Sequence, residues 1–202
     1  MNPNFLAEPP SSADVQGLYD QDVAEDGYVS NGARLWAHQP TTFARLFELL
    51  TSAFEPAHLS DRHRGILVTA AASTIQDSYC YLAWGGKLAR IVGADIAVGV
   101  LSATDVGLSD EERAMAAWTR KVVTDPNATT PSDVELLHDA GLSDQQIFAI
   151  TAFVALRVAY STINDALGAR PDAELVNSLP DAIVKAVPYG RPVSESVASP
   201  SE

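Results

Sequence analysis

The feature that most constrains the fold is a helix-start sequence that occurs three times. Leu59-Ser60-Asp61, Leu108-Ser109-Asp110 and Leu142-Ser143-Asp144 each place a serine between an apolar and an acidic residue. A serine caps a helix through its hydroxyl, and an acidic residue beside it interacts favourably with the positive end of the helix dipole. No segment shows the alternation of apolar and polar residues that is typical of strands. We therefore predict an all-α fold, and the recurrence suggests, without establishing, a duplicated helical unit.

The remaining helices follow from apolar residues at steps of three and four and from glycine or proline stops. Ser12 begins a helix that runs to about Glu25 and ends at Gly27, and a short helix or turn follows before Pro40. Thr41 or Thr42 then begins an amphipathic helix. The later predicted helices are Ser60–Gln76, Asp77–Ile91, Ala94–Leu101, Glu111–Thr124, Ser132–Ala140, Ser143–Leu167 and a weak last helix over Asp172–Val187.

The length of 202 residues fits one domain with a substantial core. Residues 1–11 are rich in proline and polar residues and are expected to form a flexible arm. Residues 12–187 form the predicted all-α domain, and residues 188–202 are expected to be a disordered tail.

The net charge of −13 argues against a nucleic-acid partner and against binding to anionic membranes, because phosphate groups would be repelled. The N-terminus lacks a basic segment followed by an apolar one, so no secretory signal is predicted. No uninterrupted apolar run reaches the roughly 20 residues that span a bilayer, so no transmembrane helix is predicted. A single cysteine agrees with a cytoplasmic location.

The stretch from Arg64 to Ala89 carries the candidate chemistry. It contains the single cysteine, Cys80, among Tyr79, Tyr81 and Trp84. A cysteine among aromatic residues is more often a core residue than a reactive thiol. Asp77, one helical turn before Cys80, would raise the pKa of the thiol, and it could serve either as a helix cap or as a general acid or base.

The glycines and histidines of the sequence bear on packing and on metal binding. Gly85 and Gly86 lie in the middle of a predicted helix, where they permit either close helix packing or close approach of a ligand or partner backbone. The four histidines, His38, His58, His63 and His138, show no metal-ligand spacing, so no metal is predicted. No phosphate-binding loop or other cofactor motif is present, so no cofactor is predicted.

Three long segments resemble one protein family. They are LYDQDVAEDGYVSNGARLWAHQP, HRGILVTAAASTIQDSYCYLAWGGKLARIVG, and the run from LSDEERAMAAW to YSTINDALG. Together they are similar to the carboxymuconolactone decarboxylase and alkylhydroperoxidase D (AhpD-like) superfamily, in its uncharacterised peroxidase-related branch. The resemblance implies an AhpD-like helical bundle that forms a homo-oligomer, such as a dimer, trimer or hexamer. It also implies that residues 12–57 are an N-terminal extension of a core at 58–187.

The redox members of that family carry Glu, two cysteines in C-x-x-C spacing and a histidine. At the corresponding positions this sequence has Gly65, Asp77, Cys80 and Trp84. The resemblance therefore implies a degenerate active site, because Cys80 has no resolving thiol with which to form an internal disulfide.

Several functions remain open. The sequence predicts a family member without the two-cysteine peroxidase motif and with an unknown substrate. The alternatives are a one-cysteine thiol peroxidase that uses Cys80 and an external resolving thiol, and a decarboxylase or isomerase that uses Asp77 on a small organic acid. A non-catalytic oligomeric binding protein is the third. The expected partners are a second copy of the chain and a small organic molecule or peroxide. The candidate pocket residues are Tyr79, Tyr81, Trp84, Arg34, His38 and His63.

Overall fold

The computed structural model describes residues 4–55 and 58–194, and within them every regular element is a helix. This confirms the predicted all-α class. The α-helices are α1 Ala13–Asp26, α2 Asn31–Trp36, α3 Pro40–Phe54, α4 Asp61–Ile75, α5 Ser78–Val92, α6 Ala94–Leu101, α7 Asp110–Thr124, α8 Pro131–Asp139, α9 Asp144–Ala166, α10 Ala173–Asn177 and α11 Asp181–Lys185.

The three repeated helix starts all form N-caps. The hydroxyls of Ser60, Ser109 and Ser143 each accept a hydrogen bond from the backbone N–H three residues later. At the starts of α7 and α9, the side chains of Glu112 and Gln146 accept a hydrogen bond from the backbone N–H of Ser109 and Ser143, respectively. Each pair of reciprocal bonds forms a capping box. These boundaries were therefore determined locally, by side chains within one turn of each helix start.

Two boundaries differ from the predictions. Helix α3 begins at Pro40, which occupies its first turn, where no backbone N–H is needed. The predicted last helix over Asp172–Val187 is wrong, because the structure has the two short helices α10 and α11 in its place. The break falls before Pro180, whose ring lacks an N–H donor and disfavours helical geometry at the preceding residue.

Helices α4 and α5 form an antiparallel pair at the centre of the domain. Helix α4 packs against α5, α6, α7 and α9. One apolar cluster fills the space between α3, α4, α7, α8 and α9, and a second lies between α4, α5, α6 and α11. Because both clusters share α4, they form one continuous domain, with Cys80 in the second cluster.

Helix α9 is long and apolar enough, by length and composition alone, to cross a membrane. The core helix of a soluble protein passes the same test. In this fold α9 packs against α3, α4 and α7, and Arg157, Ser161 and Asn164 are buried within its contacts. Three buried polar side chains on one face are typical of a helix inside a protein, where they can find polar partners.

The described ends of the chain contact the body of the domain. The N–H of Phe5 donates to the carbonyl of Leu167 at 2.9 Å, and the N–H of Ser194 donates to the carbonyl of Pro171 at 2.8 Å. The ring of Tyr189 packs edge-on against Tyr81. Residues 1–3 of the predicted flexible arm and residues 195–202 of the predicted disordered tail lie outside the described residues. Residues 56–57 of the predicted N-terminal extension also lie outside them.

Candidate functional site

A cleft of about 1070 Å³ lies between α1, α3, α5 and α9. Its walls include the aromatic side chains of Phe43 and Phe47 from α3, and of Trp84 and Tyr160 from α5 and α9. Cys80 is one of its lining residues, although only 2% of that residue is exposed. Cys80 therefore presents only a small part of its surface to the cleft.

The start of α5 fixes the position of Cys80. Asp77 is the N-cap of α5, and its Oδ1 accepts a hydrogen bond from the Cys80 N–H at 2.9 Å. Asp77 is fully buried, and its other carboxylate oxygen, Oδ2, has no hydrogen-bond partner among the described residues. Of the two roles considered for Asp77, the structure shows the cap, and this cap holds Cys80 in the first turn of the helix.

Helix α9 brings two donors to the sulfur of Cys80. Arg157 Nη2 lies 3.6 Å from Cys80 Sγ, and Ser161 Oγ lies 3.5 Å from it. Arg157 and Ser161 are four residues apart, so they lie one above the other on the same helical face. The thiol is therefore held between the first turn of α5 and the middle of α9.

Opposing effects act on the Cys80 thiol. Burial raises its pKa above the ordinary value, and the nearby Asp77 raises it further, whereas Arg157 and Ser161 act to lower it. The two donors alone would suggest a thiolate. Burial outweighs them, because a negative sulfur would lose its hydration inside the domain. Cys80 is therefore a protonated thiol at neutral pH in the ligand-free protein.

The guanidinium of Arg157 lies among aromatic rings. Its carbon is 5.3 Å from the centre of the Trp84 ring and 4.8 Å from that of Tyr160. Tyr160 stacks on Trp36, with ring centres 5.3 Å apart and planes inclined by 2°. Burial raises the pKa of Tyr160, so its hydroxyl stays neutral. Cation–π contacts thus hold the charge of Arg157 beside the thiol.

The structure shows the surroundings of Gly65 and Trp84, two positions at which the sequence departs from the redox motif that it resembles. A side chain at Gly65 would meet Leu88 of α5, because a Cβ there would lie 3.0 Å from Leu88 Cδ1. Leu88 is fully buried, so the place of the glutamate is closed by helix packing. Trp84 lies in the cleft wall, under the guanidinium of Arg157. The groups that now surround the thiol come from α9.

The glycine pair of α5 permits close packing. A Cβ on Gly85 would lie 3.1 Å from Leu101 Cδ1, and a Cβ on Gly86 would lie 2.2 Å from Leu179 Cδ2. Both glycines are buried against side chains of the same domain. Of the two alternatives, close packing within the chain is the one that the structure shows.

The predicted pocket residues divide into two groups. Tyr79 and Trp84 line the cleft. Tyr81 points elsewhere, since its hydroxyl donates to the carbonyl of Ala186 at 2.5 Å. Arg34, His38 and His63 are not among the residues that line the cleft.

The three residues outside the cleft have contacts of their own. Arg34 pairs with Glu8, and a ring nitrogen of His38 lies 2.9 Å from the carbonyl oxygen of Ala7. The pKa of the buried Glu112 carboxyl is lowered mainly by its hydrogen bond from Arg62. His63 lies close enough to the same carboxyl to lower this pKa further by a small amount.

The residues that sequence reasoning missed are Arg157, Tyr160 and Ser161. A signal was present, because Arg157 is a rare charge within the apolar run IFAITAFVALRVAY. A charge buried in a core helix needs a partner, but the sequence does not say which one. Within residues 4–55 and 58–194, no group of three or more His, Cys, Asp or Glu side chains is placed to hold a metal ion.

Comparison with known proteins gives structural matches alone. No family model matches the chain, and no curated protein matches it. An alkylhydroperoxidase AhpD core protein from Ralstonia eutropha JMP134, described as peroxidase-related, superposes with a TM-score of 0.75 at 23% identity, covering 85% of this chain and 94% of that one. A peroxidase-related protein from Silicibacter sp. TM1040 gives 0.77 at 17% identity, covering 87% and 95%. The debrominase Bmp8 gives 0.70 at 18% identity, covering 88% and 97%.

These superpositions span nearly the whole of each similar structure, so they concern the complete domain. At such low identity they show the fold and leave the chemistry open. The resemblance noted in the sequence is therefore confirmed as a shared fold.

Proposed function

With the AhpD-like fold as the premise, we propose that the protein is a non-redox enzyme that moves protons on a small organic molecule bound in the cleft, with the Cys80 thiol as the catalytic acid. The observation that carries this proposal is the position of the Cys80 thiol in the cleft wall, with two donors, Arg157 and Ser161, directed at its sulfur.

The proposed step conserves electrons. The Cys80 S–H bond breaks, its electron pair stays on sulfur, and the proton passes to a carbon or oxygen of the bound molecule. Arg157 and Ser161 are already within 3.6 Å of the sulfur, so they can stabilise the thiolate as it forms. In the return step the thiolate removes a proton from another atom of the same molecule. No oxidant, reductant or second thiol is consumed.

This proposal differs from the decarboxylase or isomerase hypothesis drawn from the sequence in the identity of the acid. Asp77 is fully buried and is not among the residues that line the cleft, so it is poorly placed to touch a ligand. Asp77 acts instead as a positioning residue, through its hydrogen bond to the Cys80 N–H.

One of the similar structures supports a planar ligand. A cysteine-to-alanine variant of the debrominase Bmp8 was crystallised with 2,3,4-tribromopyrrole. The AhpD-like fold is therefore compatible with binding of a small heteroaromatic ring, and the cleft of this protein offers aromatic side chains, among them Phe43, Phe47 and Trp84, to such a ring.

Solvent hydrogen exchange tests the proposal without knowledge of the net reaction. The protein is incubated in D2O with a panel of small cyclic organic acids, and loss of C–H signals is followed by proton NMR. We expect exchange in at least one compound, and we expect Cys80→Ser to abolish it. Full exchange by Cys80→Ser, or no exchange with any compound, would contradict the role of the thiol.

A one-cysteine thiol peroxidase is the second candidate, favoured by the two donors on the sulfur, which would also stabilise an attacking thiolate. In that reaction the thiolate attacks a peroxide oxygen, the O–O bond breaks, and an alcohol or water leaves. External thiols then reduce the sulfenate back to the thiol through a mixed disulfide. Peroxide consumption with dithiothreitol distinguishes the candidates, since the proton-transfer proposal predicts equal rates for wild type and Cys80→Ser.

A further inference from the structure

Arg157 is a buried charged group in the middle of α9. Only 5% of the residue is exposed, and it is one of the residues that line the cleft. Lys and Arg side chains are almost never this buried without a paired acid. Among the described residues, the ion pairs of 4.0 Å or less do not include Arg157.

The other contacts of Arg157 leave its charge uncompensated. Its Nε has no hydrogen-bond partner among the described residues, and its contact with the Cys80 sulfur, at 3.6 Å, is a long one. Asp77 is a nearby buried carboxylate whose Oδ1 accepts from the Cys80 N–H, and its Oδ2, which has no hydrogen-bond partner among the described residues, forms no ion pair with Arg157. The rings of Trp84 and Tyr160 stabilise a cation only in part.

From this we propose that Arg157 is the anion-recognition residue of the cleft and that the ligand is a small planar acid with one carboxylate. The carboxylate would bind the guanidinium at the inner end of the cleft, and the ring would lie against the aromatic walls. This inference rests on the proposed function, because it concerns the same cleft.

The surroundings of the cleft favour a single negative charge. Acidic residues outnumber basic ones in its lining, where Asp22, Glu25 and Asp26 of α1 face the same cleft as the exposed Lys87 and Arg90 of α5, and the chain as a whole has a net charge of −13. Such a field would repel a phosphate or a dicarboxylate on its approach. Because no acid in residues 4–55 and 58–194 forms an ion pair with Arg157, one carboxylate would neutralise the guanidinium, and a charge-assisted hydrogen bond would hold the carboxylate there.

The aromatic walls favour a planar body. Phe43 and Phe47 lie with ring centres 4.5 Å apart, and Phe47 meets Tyr160 edge-on at 5.6 Å. These rings and Trp84 form an apolar surface beside the guanidinium. A planar ring bearing a carboxylate matches both parts of the surface, because rings stack on aromatic side chains while the charged group reaches Arg157.

The test compares benzoate with benzamide, which has nearly the same shape but no charge, by isothermal titration calorimetry. For wild type we expect benzoate to bind about tenfold to a hundredfold more tightly than benzamide, as a charged hydrogen bond implies. Arg157→Gln should bind the two compounds equally. Arg90→Gln, which removes an exposed cation from the wall of the same cleft, should keep the preference for benzoate.

Two further measurements keep the test decisive. If Arg157→Gln does not fold, the wild-type comparison still decides, and Arg157→Lys should retain part of the preference because it retains the charge. Equal affinities for the two compounds in wild type, or no binding of either at millimolar concentrations, would overturn the inference. Cys80→Ser should still prefer benzoate, so loss of proton exchange with retained binding would count against the proposed function alone.

Discussion

Substitution of Gly86 by alanine tests the close contact between α5 and Leu179, which lies in the link between α10 and α11. Gly86 lies in the middle of α5, where alanine ordinarily stabilises a helix by about 1 kcal/mol relative to glycine. A Cβ at this position would lie 2.2 Å from Leu179 Cδ2, whereas carbon atoms in contact are about 3.5–4.0 Å apart. Leu179 must therefore change rotamer or move away from α5.

The two effects oppose each other, and the packing effect should be the larger. Inserting a methyl group into a packed core costs about 1–3 kcal/mol, which exceeds the gain in helix propensity. We expect Gly86→Ala to lower the free energy of unfolding by about 1 kcal/mol and the melting temperature by about 2–4 °C. Circular dichroism during thermal and urea unfolding measures both quantities.

A matched control is provided by Gly17, which is also within a helix but whose added Cβ would meet no atom within 4 Å. Gly17→Ala should stabilise the protein by up to about 1 kcal/mol. In a Leu179→Ala background the clash is removed, so Gly86→Ala should then stabilise as well. If Gly86→Ala stabilises wild type as much as Gly17→Ala does, the close contact with Leu179 is refuted.

Three further predictions concern charge and buried hydrogen bonds. Asp77→Asn keeps an acceptor for the Cys80 N–H but removes a negative charge that raises the pKa of the thiol. Alkylation of Cys80 by iodoacetamide at pH 8 should therefore become several-fold faster, and an unchanged rate would contradict this effect of Asp77. Burial, and then Asp77, raises the pKa of Asp165 to about 7 from 3.8, so the folded protein binds this proton more tightly than the unfolded chain does. Stability should therefore fall as the pH rises from about 4 to about 7, and Asp165→Asn should weaken that fall in urea midpoints measured across this range. Trp36→Phe removes the buried bond from Nε1 to Asn164 Oδ1 at 2.9 Å and should cost about 1–2 kcal/mol in urea unfolding, whereas a smaller loss would show that the bond contributes little.

The helices themselves could be predicted because their signals are local. Ser60, Ser109 and Ser143 each act within one turn of their own helix, and Gly27 and Gly93 end helices by their own backbone geometry. These interactions depend on neighbours in the chain, so the sequence is sufficient to locate them. The break at Pro180 is equally local, because the proline ring itself disfavours a continuous helix there.

The position of Cys80 was also predictable, since the stretch around it resembles the motif helices of a known family. The sequence identified the cysteine and the missing catalytic partners at Gly65, Asp77 and Trp84. It did not identify the groups that replace those partners.

Only the tertiary structure brings Arg157 and Ser161 to the sulfur, because they lie 77 and 81 residues away from Cys80 along the chain. Contacts of this kind depend on how α5 and α9 pack. That packing is decided by apolar surfaces shared among many residues, and no short motif records it. The sequence alone thus determined the helices and the place of the thiol, whereas the fold decided its charge environment and with it the chemistry that we propose.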